Sequence, residues 1–107
     1  LTAYSILLVK EPYKNGKYKI GITRAQKLLR SELSEKDEEE IVYLLISTSI
    51  KHATKGKKFE RFSRFEYAKS VCEQYKPKVK TLENIEQLKK LEEKINKALL
   101  RYQINEE

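Results

Sequence analysis

Between Leu82 and Tyr102 the residues Leu82, Ile85, Leu88, Leu91, Ile95, Leu99 and Tyr102 recur at intervals of three and four. That spacing lines one face of an α-helix. Thr81 stands where an N-cap belongs, and the opposite face carries Glu86–Lys90 and Glu93–Lys97 in the favourable i, i+4 order. A stripe this long has to be covered, because a helix in water draws most of its stability from packing rather than from propensity. The rest of the chain, a second copy or another protein could cover it. Strict heptads are interrupted, which argues against a pure coiled coil. Leu88, Leu91, Ile95, Leu99 and Tyr102 are therefore the candidate interface residues of helix 82–103.

Upstream, residues 4–10 form an apolar run, Pro12 and Asn15-Gly16 follow, and residues 17–23 (KYKIGIT) alternate. Asn-Gly supplies the positive φ angles of a tight hairpin turn, so the pattern predicts a β-hairpin. Thr23 would cap a short helix from Arg24 to about Leu33 with Ala25, Leu28 and Leu29 on its apolar side. Residues 41–49 (IVYLLISTS) support two readings. Ser34 with Asp37 resembles a capping box, and the acids Asp37 to Glu40 suit a helix start, which favours a helix through Lys51. An unbroken β-branched and aromatic run is equally typical of a buried strand, and a strand would give the hairpin the third partner it needs. The strand is preferred. Gly56 breaks the pattern, and a helix from about Lys58 to Tyr75, ended by Pro77, completes the order. The expected fold is thus α+β: an N-terminal hairpin, extended by 41–49 into a three-stranded antiparallel sheet, then helices ending in a long amphipathic one. At 107 residues this is one domain, 1–107, with a hairpin-containing half (1–50), a basic segment (51–80) and the C-terminal helix (81–107).

Charge is concentrated in the middle of the chain. Residues 1–50 hold 8 basic and 7 acidic groups and residues 81–107 hold 5 and 6, whereas residues 51–80 hold 10 basic groups against Glu60, Glu66 and Glu73, so the flanks cancel and the segment's own balance equals the chain's net charge of +7. Such density attracts polyanions, with a steep dependence on salt. Phe59, Phe62, Phe65, Tyr67, Tyr75 and the sole histidine, His52, are interleaved with the cations, and aromatic planes can stack on unpaired bases while Lys and Arg hold phosphates. On a helix, however, Phe62, Phe65, Ala68, Cys72 and Tyr75 share a core-like stripe, while Lys57, Arg61 and Arg64 share another face. The expected contact set is Lys55, Lys57, Lys58, Arg61 and Arg64 on the backbone, with His52 and an exposed member of the pair Phe59 and Tyr67 touching bases.

Catalytic constellations are thin. His52 has no companion, Cys72 reads as a small hydrophobe on a helix face, and there is neither a phosphate-cradling glycine loop nor a zinc-spaced Cys/His set. No catalytic residue, metal site or cofactor is expected. With 39% hydrophobic and 36% charged residues the chain is too apolar for disorder, and no run approaches the roughly 20 apolar residues of a membrane span. A single cysteine suits a reducing cytoplasm, and the Lys, Glu and Ile content without Met or Trp leans toward a heat-adapted source. The expectation is a small basic protein that binds DNA or RNA through phosphate contacts with weak sequence preference. The alternative is an interaction or oligomerisation module, such as an accessory subunit or small viral protein, that docks through helix 82–103.

The order of hairpin, Lys19-Ile20-Gly21, short Arg-bearing helix and following strand resembles the front of GIY-YIG nuclease domains over roughly the first third of the chain. The resemblance implies two hairpin tyrosines, a helix arginine and a later glutamate that cut a phosphodiester with a metal ion. Here the first motif's tyrosine position falls on Ile6 and the second's on Lys19, and Arg30 lies one residue beyond the usual spacing from Gly21. The family's catalytic set is therefore not intact. Tyr4 and Tyr18 lie nearby as substitutes, with Glu60 or Glu66 as the metal-binding candidate.

Overall fold

The apolar run at 41–49 forms the middle of a helix. In the computed structural model, which describes residues 3–106 and side chains from Tyr4 to Gln103, the elements are α1 (Ala3–Lys14), α2 (Tyr18–Leu29), α3 (Glu35–Thr54), α4 (Lys58–Tyr75), a 3-10 turn at Lys76–Lys78 and α5 (Leu82–Glu106). There is no strand among the described residues. The expected α+β fold is corrected to an all-helical one, and the hairpin and its third strand are replaced by α1, α2 and α3.

The physical reason lies in how each local signal is used. Gly16 does adopt a positive φ of 74°, but it ends a helix rather than turning a hairpin. The Lys17 N–H donates to the Pro12 carbonyl at 2.8 Å and the Gly16 N–H to the Tyr13 carbonyl at 3.3 Å, the paired bonds of a Schellman C-cap. Pro12 lies inside α1 and cannot donate to the carbonyl four residues earlier. That carbonyl, of Leu8, instead accepts from Arg24 Nη1 at 3.1 Å, so a side chain of α2 repairs the gap. The alternation of 17–23 also resolves into a helical face: Gly21, Ile22, Ala25 and Leu29 are the buried positions of α2, while Ile20 is exposed. Thr23, expected as a cap, sits in mid-helix and bonds back to the Lys19 carbonyl at 3.0 Å.

For α3 the cap decides. Ser34 Oγ accepts from the Asp37 N–H at 3.2 Å, and the helix runs on to Thr54. It reads like a strand because it is enclosed: α3 contacts α1, α2, α4 and α5, and a helix covered on most sides is apolar around most of its circumference. Ile41, Val42, Leu45, Ile46, Ile50 and Ala53 are all buried. Two of the hydroxyls among them are satisfied locally, Thr48 donating to the Leu44 carbonyl at 2.6 Å and Ser49 to that of Leu45 at 2.8 Å, the back-bonding open to Ser and Thr within helices, whereas the buried Ser47 hydroxyl has no partner among the described residues.

The result is a central α3 flanked by two helical hairpins, α1–α2 and α4–α5. Helix α4 spans the residues expected for it, with Phe65, Ala68, Val71 and Cys72 buried. Helix α5 turns its stripe inward: Leu88 and Ile95 belong to the core, and Leu91, Leu99 and Tyr102 pack half-buried against it. These five positions, expected at an intermolecular interface, make contacts within the chain, and Leu91, Leu99 and Tyr102 remain partly exposed. No described helix is long and apolar enough to cross a membrane.

Candidate functional site

Two arginines of the expected phosphate-binding face have structural employment. Arg61 Nε donates to the Gly56 carbonyl at 3.0 Å and its guanidinium lies 5.6 Å from the centre of the Tyr102 ring. It therefore ties the α3–α4 turn to the end of α5. Arg64 donates to the His52 carbonyl at 3.0 Å and to Glu60 Oε2 at 3.1 Å. A Cβ on Gly56 would fall 2.9 Å from Arg64 Nη1, so glycine keeps the seat of that guanidinium open. Glu60 also accepts the Lys57 N–H at 3.0 Å. That bond, with the nearby Arg64 and Lys57 charges, holds its carboxyl below the usual range against the opposing effect of burial.

The cationic segment is divided. Its last three lysines meet acids of other helices, Lys76 with Glu92 at 3.2 Å, Lys78 with Glu38 at 3.8 Å and Lys80 with Glu35 at 3.8 Å. Lys57, Lys58 and Phe59 open α4, with Phe59 75% exposed, and none of the three lines the hollows described next. His52, Lys55, Arg64 and Tyr67, by contrast, are brought together, and residues of α2 that sequence reasoning missed join them.

They surround a cleft above the carboxyl end of α3, between the start of α2 and the first half of α4. One hollow of about 400 Å³ is bounded by Gly16, Lys17, Lys19, His52, Lys55 and Arg64, with Tyr18 and Ile20 also on its wall. Among the described residues no carboxylate pairs with Lys17, Lys19 or Lys55. Lys17 occupies the N-cap of α2 and makes no side-chain capping bond, so the first N–H groups of that helix add a positive end to the same wall. Among the described residues Glu60 is the carboxylate that pairs with a cation of this wall, through Arg64. The His52 imidazole is pushed below its ordinary range, first by burial and then by the Arg64 and Lys19 charges, so it is neutral at pH 7.

A second hollow of about 370 Å³ continues from the first across Lys19, His52 and Arg64 and is walled by Ile22, Gln26, Ser63 and Tyr67. Gln26 Nε2 donates to Tyr67 Oη at 2.6 Å, linking α2 to α4, and Tyr67 remains 40% exposed. The signal for the α2 half was present in Lys14-Asn15-Gly16-Lys17-Tyr18-Lys19. Read as a helix start, Lys17 and Lys19 of that run meet at the cleft, while Lys14 ends α1 and lines another hollow with Lys10, Tyr13 and Tyr43. A larger hollow of about 650 Å³ between α4 and α5 is lined by Glu66, Lys69 and Glu73 among others, and its mixed charge gives no preference for an anion.

The residues named by the nuclease resemblance are not linked to one another. Tyr4 is exposed on α1, Tyr18 stands edge-on to Tyr13 at a ring separation of 5.7 Å, Arg30 follows α2, Glu60 is engaged at the start of α4, and Glu66 lines the α4–α5 hollow. Cys72 is buried, and burial pushes its thiol above the ordinary range, which suits a packing role.

Fold and site together define a five-helix domain that carries a cationic cleft with an adjoining aromatic hollow. Comparison with protein-family models, curated proteins and solved structures finds no match.

Proposed function

We propose that this chain is a small cytoplasmic nucleic-acid-binding protein that holds its ligand mainly by phosphate contacts, with weak sequence preference. The observation that carries the reading is the convergence of Lys17, Lys19, Lys55 and Arg64 on one open hollow at the uncapped start of α2. Cations of three elements gathered on one concave surface raise a local potential that favours phosphate, and the backbone N–H groups of a helix start are suited to the same charge. Lys57 and Lys58 follow Lys55 directly in the chain and would extend the track along the polyanion. The cationic surplus of the cleft, offset at Arg64 by Glu60, makes binding depend on counterion release rather than on a base-reading code.

The test is the affinity for labelled oligonucleotides measured at several salt concentrations. Replacing Lys17, Lys19 and Lys55 together by Ala lowers the slope of log K against log salt by about two to three units and weakens binding to all sequences alike. A slope equal to that of the wild type would remove the cleft from the mechanism.

A further inference from the structure

We propose that the cleft is a single-nucleotide subsite, with a phosphate at the Lys17–Lys55 end and an unpaired base in the hollow beside Tyr67. This rests on the nucleic-acid reading and makes it specific to single strands. Three observations carry it.

The two hollows are contiguous and differ in charge, Lys17 and Lys55 belonging to the first alone. They share Lys19, His52 and Arg64 as a common wall. On one side lie Lys17, Lys55 and the start of α2 with Tyr18 and Ile20; on the other lie Ile22, the Tyr67 ring and three polar groups, Thr23, Gln26 and Ser63, with no further cation. An anionic group joined to a flat, partly apolar ring with polar edges fits that division, and a nucleotide is such a molecule. Each hollow, at about 400 and about 370 Å³, is near the low end of the range for small-molecule sites, enough for one moiety each.

The second observation is the Gln26–Tyr67 hydrogen bond at 2.6 Å. It steadies the ring, and it leaves the carboxamide an acceptor oxygen and a further N–H with which to meet a base edge. Tyr67 keeps enough exposure for a base to stack on it.

Third, the hollow is reachable by a base only when that base has left a duplex stack, since a paired strand offers the protein phosphates and groove edges rather than a free ring. Lys57 and Lys58, which follow Lys55 in the chain, offer cations for further phosphates beyond the cleft, which favours a strand over a free mononucleotide as the source of the ligand.

The experiment uses the full chain and fluorescence anisotropy with a labelled oligothymidylate, the same strand with abasic residues, its duplex with oligoadenylate, and thymidine monophosphate as competitor. The base subsite predicts that the intact strand binds tighter than the abasic strand or the duplex. It also predicts that Tyr67→Ala weakens the intact strand about fivefold or more with no change in salt slope, and that Tyr67→Phe, which keeps the ring and loses only the bond from Gln26, weakens it less. Equal binding of intact and abasic strands by the wild type overturns the subsite whatever the variants do, and leaves the phosphate reading standing if the lysine triple variant still lowers the slope. Displacement of the strand by the monophosphate at an equal nucleotide concentration overturns the single strand as source. Absence of salt-dependent binding to any strand overturns the subsite and the reading beneath it together.

Discussion

Glu39 is one of four consecutive acids and the only one of them that is buried, at 4% exposure. Its Oε1 accepts from Asn84 Nδ2 at 2.8 Å and from the Thr81 N–H at 3.2 Å, while Oε2 accepts from the Thr81 hydroxyl at 3.1 Å. The sequence reading had Thr81 capping its own helix and the acidic run complementing the dipole of α3. In the fold Glu39 reaches across from α3 and places its charge at the start of α5, where the helix dipole favours it. Those hydrogen bonds, that of Asn84 foremost, hold the carboxyl below its ordinary range against the opposing effect of burial. With the folded value depressed, the stabilisation is complete above the unfolded carboxylate pKa of about 4.3 and is lost as pH falls through the folded value. Glu39→Gln should therefore lower the midpoint of thermal unfolding at pH 7, and the gap from the wild type should narrow below about pH 4. A gap that stays constant with pH would mean that the charge of Glu39 contributes nothing. At the cleft, only His52, Lys55, Arg64 and Tyr67 of the residues chosen from sequence converge. Arg61 serves the Gly56 carbonyl and the Tyr102 ring and lines neither hollow, whereas Arg64, though it too is engaged, by the His52 carbonyl and Glu60, borders both.

Among elements, α4 and α5 were readable because each signal there has one use: Gly56 and Pro77 bound one helix, and a 3.6-residue period runs through the other. The first three helices were not readable in the same way. A glycine with positive φ serves a hairpin turn and a helix C-cap alike, and α1 ends on the second use at Gly16. An enclosed helix and a buried strand both read as unbroken apolar runs, and only the cap at Ser34 separates them for α3. That cap can be weighed. Ser34→Ala should cost about 1 kcal/mol, seen as a lower denaturant midpoint with an unchanged m-value. No loss would show that the apolar surface of α3 alone sets its start.

At the scale of the molecule the stripe of α5 is the seam that closes the core. Ile95 is 1% exposed, Leu88 is buried with it, and the Phe65 and Tyr102 rings stack at 5.7 Å. Ile95→Ala should destabilise the chain by about 2–5 kcal/mol in denaturant unfolding, without altering its sedimentation in native buffer. A variant of native stability that sediments more slowly than the wild type would restore α5 to an intermolecular role. The sequence by itself determined the two C-terminal helices, the turn at Gly16 and a cationic surplus, because period, special backbone angles and charge are local properties that each residue carries with it. Tertiary structure alone decided that the apolar run at 41–49 is helical, that the lysines at 76, 78 and 80 are matched by acids across helices, and that Lys17 and Lys19 meet Lys55 and Arg64. Each of those outcomes depends on which surfaces face one another, and that is settled only when α1–α2 and α4–α5 close around α3.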